Sequence, residues 1–289
     1  MLSAMPSAMP SAMPTLTLLS SLLIEGRIVV GLAAAAITLW TATILGCPAE
    51  LPLLATVCAA TIIIYDLDRW IDRRGSAGAV PFSVGATFVL AVLLLAVTVP
   101  LLERVTNLAL LVGLPLCALY CVPAPRWFPL RSIASQRPKD HPIGKALFVA
   151  SAVTTATVLL PLFEANVLAP HLRLETGRLF LVAGWVFIAI LSNALACDLR
   201  DHPTDLAARL RTVPTVLGAG RTRSILLATN VTIFVATLVM VSLGALPAAT
   251  LLPLAIASIG LLLLSERHST RVWTFTLDGA FLPLLFVAL

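Results

Sequence analysis

Tyr65-Asp66-Leu67-Asp68-Arg69-Trp70-Ile71-Asp72 and Asp198-Leu199-Arg200-Asp201-His202-Pro203-Thr204-Asp205 are the two acidic clusters of this chain, and each stands where an apolar run ends. Both repeat aspartate at i and i+4 (Asp68 and Asp72, Asp201 and Asp205), a spacing that brings two carboxylates onto one helical face within reach of one divalent cation. In the first cluster Tyr65, Asp68 and Asp72 share a face, whereas Asp66 turns toward Arg69 and Arg73 and reads as a self-neutralised, solvated helix end. Like charges at i and i+4 cost about 0.2–0.5 kcal/mol without a cation between them, so ion pairing explains Asp68 and Asp72 poorly unless Arg73 and Arg74 reach them. In the second cluster Asp198, Asp201 and Asp205 fall at i, i+3 and i+7, directly after a run that also holds Ser192 and Asn193. The alternative there is an acidic helix end capped by Arg200, Arg209 and Arg211. Pro203 predicts a break after His202, which would leave Asp205 on a turn.

The elements that must carry these residues are hydrophobic. Apolar side chains make up 59% of the 289 residues and charged ones 11%, against roughly 25% charged in a soluble domain. Apolar segments recur at 28–46, 51–66, 80–101, 104–122, 144–162, 179–197, 222–244, 246–264 and 272–289, long enough for membrane helices. The expected fold is an all-α bundle of nine transmembrane helices in one domain, 15–289, behind a disordered SAMP repeat at 1–14. No basic stretch precedes that repeat, which argues against a cleaved signal peptide. Residues 15–27 are expected to lie in the membrane interface. Pro115, Pro253 and Pro283 fall inside segments and are expected to kink them.

With the N-terminus in the cytoplasm, all but Arg104, Arg173 and Arg178 of the 19 Lys and Arg lie on the cytoplasmic side. That asymmetry favours nine spans with the C-terminus outside, in the inner or plasma membrane of a bacterial cell. Both acidic clusters then face the cytoplasm. The net charge of +5 records this topology, and no nucleic-acid partner is expected. The five cysteines form no CxxC pair, the four histidines have no ligand spacing, and both sets read as structural. His202, next to Asp201, is the one histidine placed for acid/base duty.

Two DxxxD sites on one face of a membrane bundle suit one chemistry: Mg²⁺ held by few carboxylates and by a diphosphate whose prenyl tail lies among the helices. Metal-bound diphosphate is a good leaving group, and an allylic cation forms where water is excluded. A transporter, with its acids near the bilayer midplane, is the rival reading.

The run Asp198-Leu-Arg-Asp201-xxx-Asp205, with Arg211-Thr212-Val213-Pro214-Thr215-Val216-Leu217-Gly218 after it, resembles the second motif of the UbiA superfamily of intramembrane prenyltransferases, NDxRDxxxDxxxGxxTLPxxxG. The first motif, NDxxDxxxD, is kept as Asp68 and Asp72, with Ile64 and Tyr65 at its Asn and Asp positions. Lys145, in Pro142-Ile-Gly-Lys145-Ala-Leu-Phe, resembles the family's lysine at the start of the fifth helix. The resemblance implies Asp68, Asp72, Asp201 and Asp205 as Mg²⁺ ligands and catalytic carboxylates, and Asp198 as their support. Lys145, Arg200 and Arg211 would then contact the diphosphate of a polyprenyl donor, whose prenyl group passes to a small aromatic or lipid-like acceptor. Cys197 and Arg209 stand at Asn and Gly positions of the motif, and the reduced first site leaves a non-catalytic isoprenoid-binding member as a third reading.

Tyr120 and Arg126 flank Pro123 and Pro125 at the exit of the fourth segment; an interfacial aromatic beside a topogenic arginine is the preferred reading, a loose echo of the family's loop tyrosine the other. Arg131, Arg137, Lys139 and His141 form a basic loop facing a headgroup or anionic lipid. Glu164, His171, Arg173 and Glu175 read as an exposed outer loop. Gly184, Gly244 and Gly260 are candidates for close helix contact. Asp278 stands within the ninth segment, where a carboxylate is functional or structural.

Overall fold

The computed structural model describes residues 23, 27–73, 82–121, 141–168, 175–208, 210–264 and 268–287. The SAMP repeat, Arg74, Arg126, Arg131, Arg137, Lys139, His171, Arg173, Arg209 and Arg267 lie outside them. The helices are α1 (Ile28–Leu45), α2 (Leu51–Arg73), α3 (Phe82–Thr98, continued by a 3₁₀ turn), α4 (Arg104–Cys121), α5 (Gly144–Thr154), α6 (Leu160–Leu168), α7 (Thr176–Ala207), α8 (Val213–Leu217), α9 (Ala219–Ser242), α10 (Leu251–Leu263) and α11 (Thr270–Leu277). A 3₁₀ helix, Asp278–Val287, extends α11. The described residues contain no strand, and the fold is all-α as expected.

Six stretches are long and apolar enough to cross a membrane: Ile28–Leu45, Leu51–Ile71, Ser83–Leu101, Gly144–Ala165, Thr176–Ala207 and Ala219–Ser242. The chain is therefore a multi-pass integral membrane protein. Where nine spans were expected, the fourth and eighth segments give the shorter apolar helices Arg104–Cys117 and Ala248–Leu263. The ninth is split between the 8 residues of α11 and the 10 of its 3₁₀ extension. At 1.5 and 2.0 Å per residue those two pieces together reach about 32 Å, close to the thickness of a hydrocarbon core.

α1 is the inner rod, with 78% of its apolar window buried against 22% for Ser83–Leu101 and 17% for α9. It packs on α2, on the C-terminal 3₁₀ helix, on α6 and on α7, while α5 packs on α7, α7 on α9 and α9 on α10. The exposed Leu and Val of α3 and α9, such as Leu90, Leu93, Val231 and Val235, are lipid-facing surface. Since lipid is as apolar as leucine, close packing and interhelical hydrogen bonds hold such a bundle, the latter worth about 0.6 kcal/mol each on average. Trp40 and Trp185 meet at 4.7 Å between α1 and α7. Their indoles donate to Thr250 Oγ1 (3.3 Å) and Thr237 Oγ1 (3.0 Å), and Thr56 donates to Thr98 at 2.7 Å. A π turn at Thr155–Leu159 joins α5 to α6. Such a turn frees a carbonyl from the i→i+4 ladder, and here the Thr157 carbonyl accepts from Thr41 Oγ1 of α1.

Two expectations need correction. Glu164 is buried in α6, where its carboxylate accepts from the Glu103 amide at 3.2 Å; it caps the start of α4, whose first amides have no partner within the helix. Of the three glycines, Gly184 and Gly244 have nothing within 4 Å of an added Cβ, while Gly260 meets Thr276. The tightest approach to a backbone atom is instead at Gly31, where a Cβ would stand 2.8 Å from Ile62 Cγ1 and 2.9 Å from the Cys58 carbonyl oxygen on α2. Gly31→Ala is expected to destabilise by about 1–3 kcal/mol through overpacking, read as a lower thermal midpoint in detergent, whereas Gly184→Ala leaves the midpoint unchanged or raises it.

Candidate functional site

The site is built around the C-terminal end of α7. Pro203 does not break this helix, which runs on to Ala207 and keeps Asp205 in register with Asp198 and Asp201. The proline ring is exposed, and the turn beyond it is closed by Thr204 Oγ1 donating to the Asp201 carbonyl (2.6 Å) and by the Ala208 amide donating to the Thr204 carbonyl (2.9 Å). Proline costs this helix one ladder bond, the one that would run to the Leu199 carbonyl, and the turn continues past it.

Asp198 has no exposed surface, and its Oδ1 accepts from Lys145 Nζ at 2.9 Å. Lys145 sits in the first turn of α5, where a cation opposes the helix dipole, so its placement there is explained by the α7 carboxylate and not by helix stability. Asp201 and Asp205 also lie within the lysine's electrostatic reach. Arg200 turns back on its own neighbour: Nε donates to Asp201 Oδ1 at 2.7 Å and Nη2 to Asp201 Oδ2 at 2.8 Å. Its Nη1 donates to Thr274 Oγ1 (3.2 Å) and stands 4.0 Å from Asp278 Oδ2. Asp205 is buried beside Thr212. Thr212 and Thr215 form a reciprocal capping box at the start of α8, and Gly218, at φ 86°, makes the turn into α9; this is what the Thr-Val-Pro-Thr segment does structurally. Arg211 is exposed in the connection before α8.

From α2, Tyr65 lies within electrostatic reach of Lys145, Cys197 and Asp278. Tyr120, at the end of α4, lies within electrostatic reach of Asp68, Tyr65 and Asp198. These side chains gather the ends of α2, α4, α5 and α7 at one end of the bundle. Asp72 belongs to the last turn of α2, but its side chain lies outside the described residues.

Three features of this end were read differently from sequence. Tyr120 is not an interfacial aromatic: it is buried, stacked on Phe148 with ring centroids 4.1 Å apart, and its hydroxyl has no partner. Asp66 is not solvated; it is buried against α3, accepts from Thr87 Oγ1 at 3.3 Å, and has Arg27 and Arg69 within reach. Arg27, counted only toward topology, precedes α1 in the left-handed region (φ 57°) with its Nε buried and unpartnered. Asp66, Asp201 and Asp278 all lie within its electrostatic reach. The proximity of the α7 acids to the α5 lysine was legible only through the family resemblance.

Asp198 Oδ2 and Asp205 Oδ2 are buried without a hydrogen-bond partner. Among the described residues no three His, Cys, Asp or Glu side chains converge as a cation cage. Free carboxylate oxygens without a cage fit Mg²⁺, which takes one or two carboxylates and completes its shell with water and substrate phosphate. In this arrangement both oxygens of Asp201 are occupied by Arg200.

No family model matches the chain, and no curated protein matches it. Among solved structures it is similar to the apo structure of a UbiA homolog from Aeropyrum pernix K1, at 15% identity and a TM-score of 0.54, over 92% of this chain and 94% of that one. The chain therefore has a UbiA-like fold over nearly its whole length.

Proposed function

We propose that the protein is an intramembrane prenyltransferase that moves a prenyl group from a polyprenyl diphosphate to a small aromatic or lipid-like acceptor. The observation that carries this reading is the buried, partnerless carboxylate oxygen of Asp205, on the same helix as Asp198 and within electrostatic reach of Lys145, in an apolar UbiA-like bundle. A buried unpaired carboxylate oxygen costs about 1–3 kcal/mol or more, and its retention is explained by a ligand that is cationic there. Asp68, Asp72, Asp201 and Asp205 would hold Mg²⁺, which when bound would draw charge from the departing diphosphate. Lys145 and Arg211 supply positive charge for the diphosphate oxygens, and Asp198 holds the lysine in place. The surrounding Leu, Val and Ala side chains seat the prenyl tail and exclude water from the reacting carbon.

The experiment is transfer of label from C10 to C20 prenyl diphosphates to a panel of acceptors by membranes containing the protein, with and without a Mg²⁺ chelator. Chelator-sensitive product is expected. Donor left intact in both conditions, with every acceptor, would overturn the reading, and product insensitive to the chelator would remove Mg²⁺ from it.

A further inference from the structure

Arg200 and Asp201, neighbours on α7, are locked together. The guanidinium spends Nε and Nη2 on Asp201, and its side chain is only 8% exposed. A cation that approaches Asp201 on the side the fork occupies displaces the guanidinium, and a buried guanidinium stripped of its carboxylate is strongly destabilised. A second carboxylate is already in place on the opposite side: Asp278 Oδ2 lies 4.0 Å from Nη1, next to Thr274 Oγ1, which accepts from the same nitrogen at 3.2 Å. Asp278 is oriented by α7 itself, its Oδ1 accepting from Asn193 Nδ2 at 3.5 Å and facing Cys197 Sγ at 3.8 Å. The two carboxylates differ in access, with Asp201 33% exposed and Asp278 10%. The open one can meet a ligand; the closed one cannot.

We propose that Asp278 is a positioning residue: it takes over the Arg200 guanidinium when Asp201 turns toward a cation–diphosphate ligand, so that binding leaves no buried charge unpaired. This assigns a role to the carboxylate in the ninth apolar segment, and it rests on the metal-dependent reading above. Asp278 itself does not touch the ligand.

The test is Mn²⁺ binding to the full-length protein in detergent, followed by electron paramagnetic resonance in the presence of inorganic pyrophosphate. Asp278→Asn is expected to weaken Mn²⁺ binding by about 10–100-fold, the usual effect of losing a partner that orients a metal ligand, and Asp278→Glu to recover most of it. In an Arg200→Gln background, where no guanidinium has to be rehoused, Asp278→Asn should change affinity by less than about twofold. Equal losses in both backgrounds would overturn the proposal, since they would mean that Asp278 acts as a direct ligand or through its charge alone. Should Asp278→Asn fail to fold, Thr274→Val removes the other contact to Nη1 and is expected to weaken binding in the wild-type background only; an unchanged affinity would overturn the proposal. Wild-type protein that binds no Mn²⁺ under these conditions would overturn both this proposal and the metal-dependent reading beneath it.

Discussion

Lys145→Met is expected to destabilise the protein by about 1–3 kcal/mol, the cost of leaving the buried Asp198 carboxylate without its partner, moderated by water that already reaches the half-buried lysine. Asp198 has no exposed surface and the lysine ammonium is its hydrogen-bond partner, 2.9 Å away. The pair also joins α5 to α7, so its loss loosens the contact that positions the site. Asp198→Asn added to Lys145→Met removes the stranded charge and should restore most of the thermal midpoint, because replacing both members of a buried pair is far less damaging than removing one. Prenyl transfer should stay lost in the double variant, which lacks the lysine assigned to the diphosphate. A double variant as unstable as the single one would show that packing around Lys145, and not its charge, holds the two helices together.

The bundle was legible because hydrocarbon thickness imposes a period on the sequence: among the described residues six of the apolar segments reappear as membrane-length helical stretches, while the fourth and eighth are shorter and the ninth is divided between an α-helix and a 3₁₀ helix. What composition could not show was where a rod departs from regular geometry. The π turn at Thr155–Leu159 and the 3₁₀ continuation from Asp278 are set by partners on other helices, and apolar length does not register them. The acids divide in the same way. Asp198, Asp201 and Asp205 were found because i, i+3, i+7 spacing is a property of their own helix. Asp66 and Glu164 were misplaced because their partners, Thr87 and the Glu103 amide, come from elsewhere in the chain. The pairing of Arg200 with Asp201 leaves no sequence signal for a different reason: residues at i and i+1 diverge around a helix, and only the length of the arginine side chain lets its fork return to its neighbour. Tyr120 carried a weak signal, a tyrosine before a Pro-rich exit, and its stacking on Phe148 required α4 and α5 to be brought together.

Asp205→Asn is expected to lower transfer by at least about 10²–10³-fold, the range lost when one preorganised electrostatic group is removed from a reaction centre, while leaving stability unchanged or improved. The two effects are opposed for one reason. In the resting protein Asp205 Oδ2 is buried and receives no hydrogen bond, while Thr212 and the charge of Lys145 support the rest of the carboxylate; an isosteric amide removes the costly unpaired charge and keeps the packing. With ligand present the same oxygen becomes a ligand atom that an amide replaces poorly. Lost transfer at an undiminished thermal midpoint is therefore the signature of a carboxylate kept for binding. Asp68→Asn should show the same loss of transfer, since Asp68 and Asp198 both lie within electrostatic reach of Tyr120. Unchanged turnover in either variant, at equal protein abundance, would remove that aspartate from the metal site. A fall in the midpoint of Asp205→Asn that matches its fall in activity would assign Asp205 instead to holding α7 against Thr212 and the α8 turn.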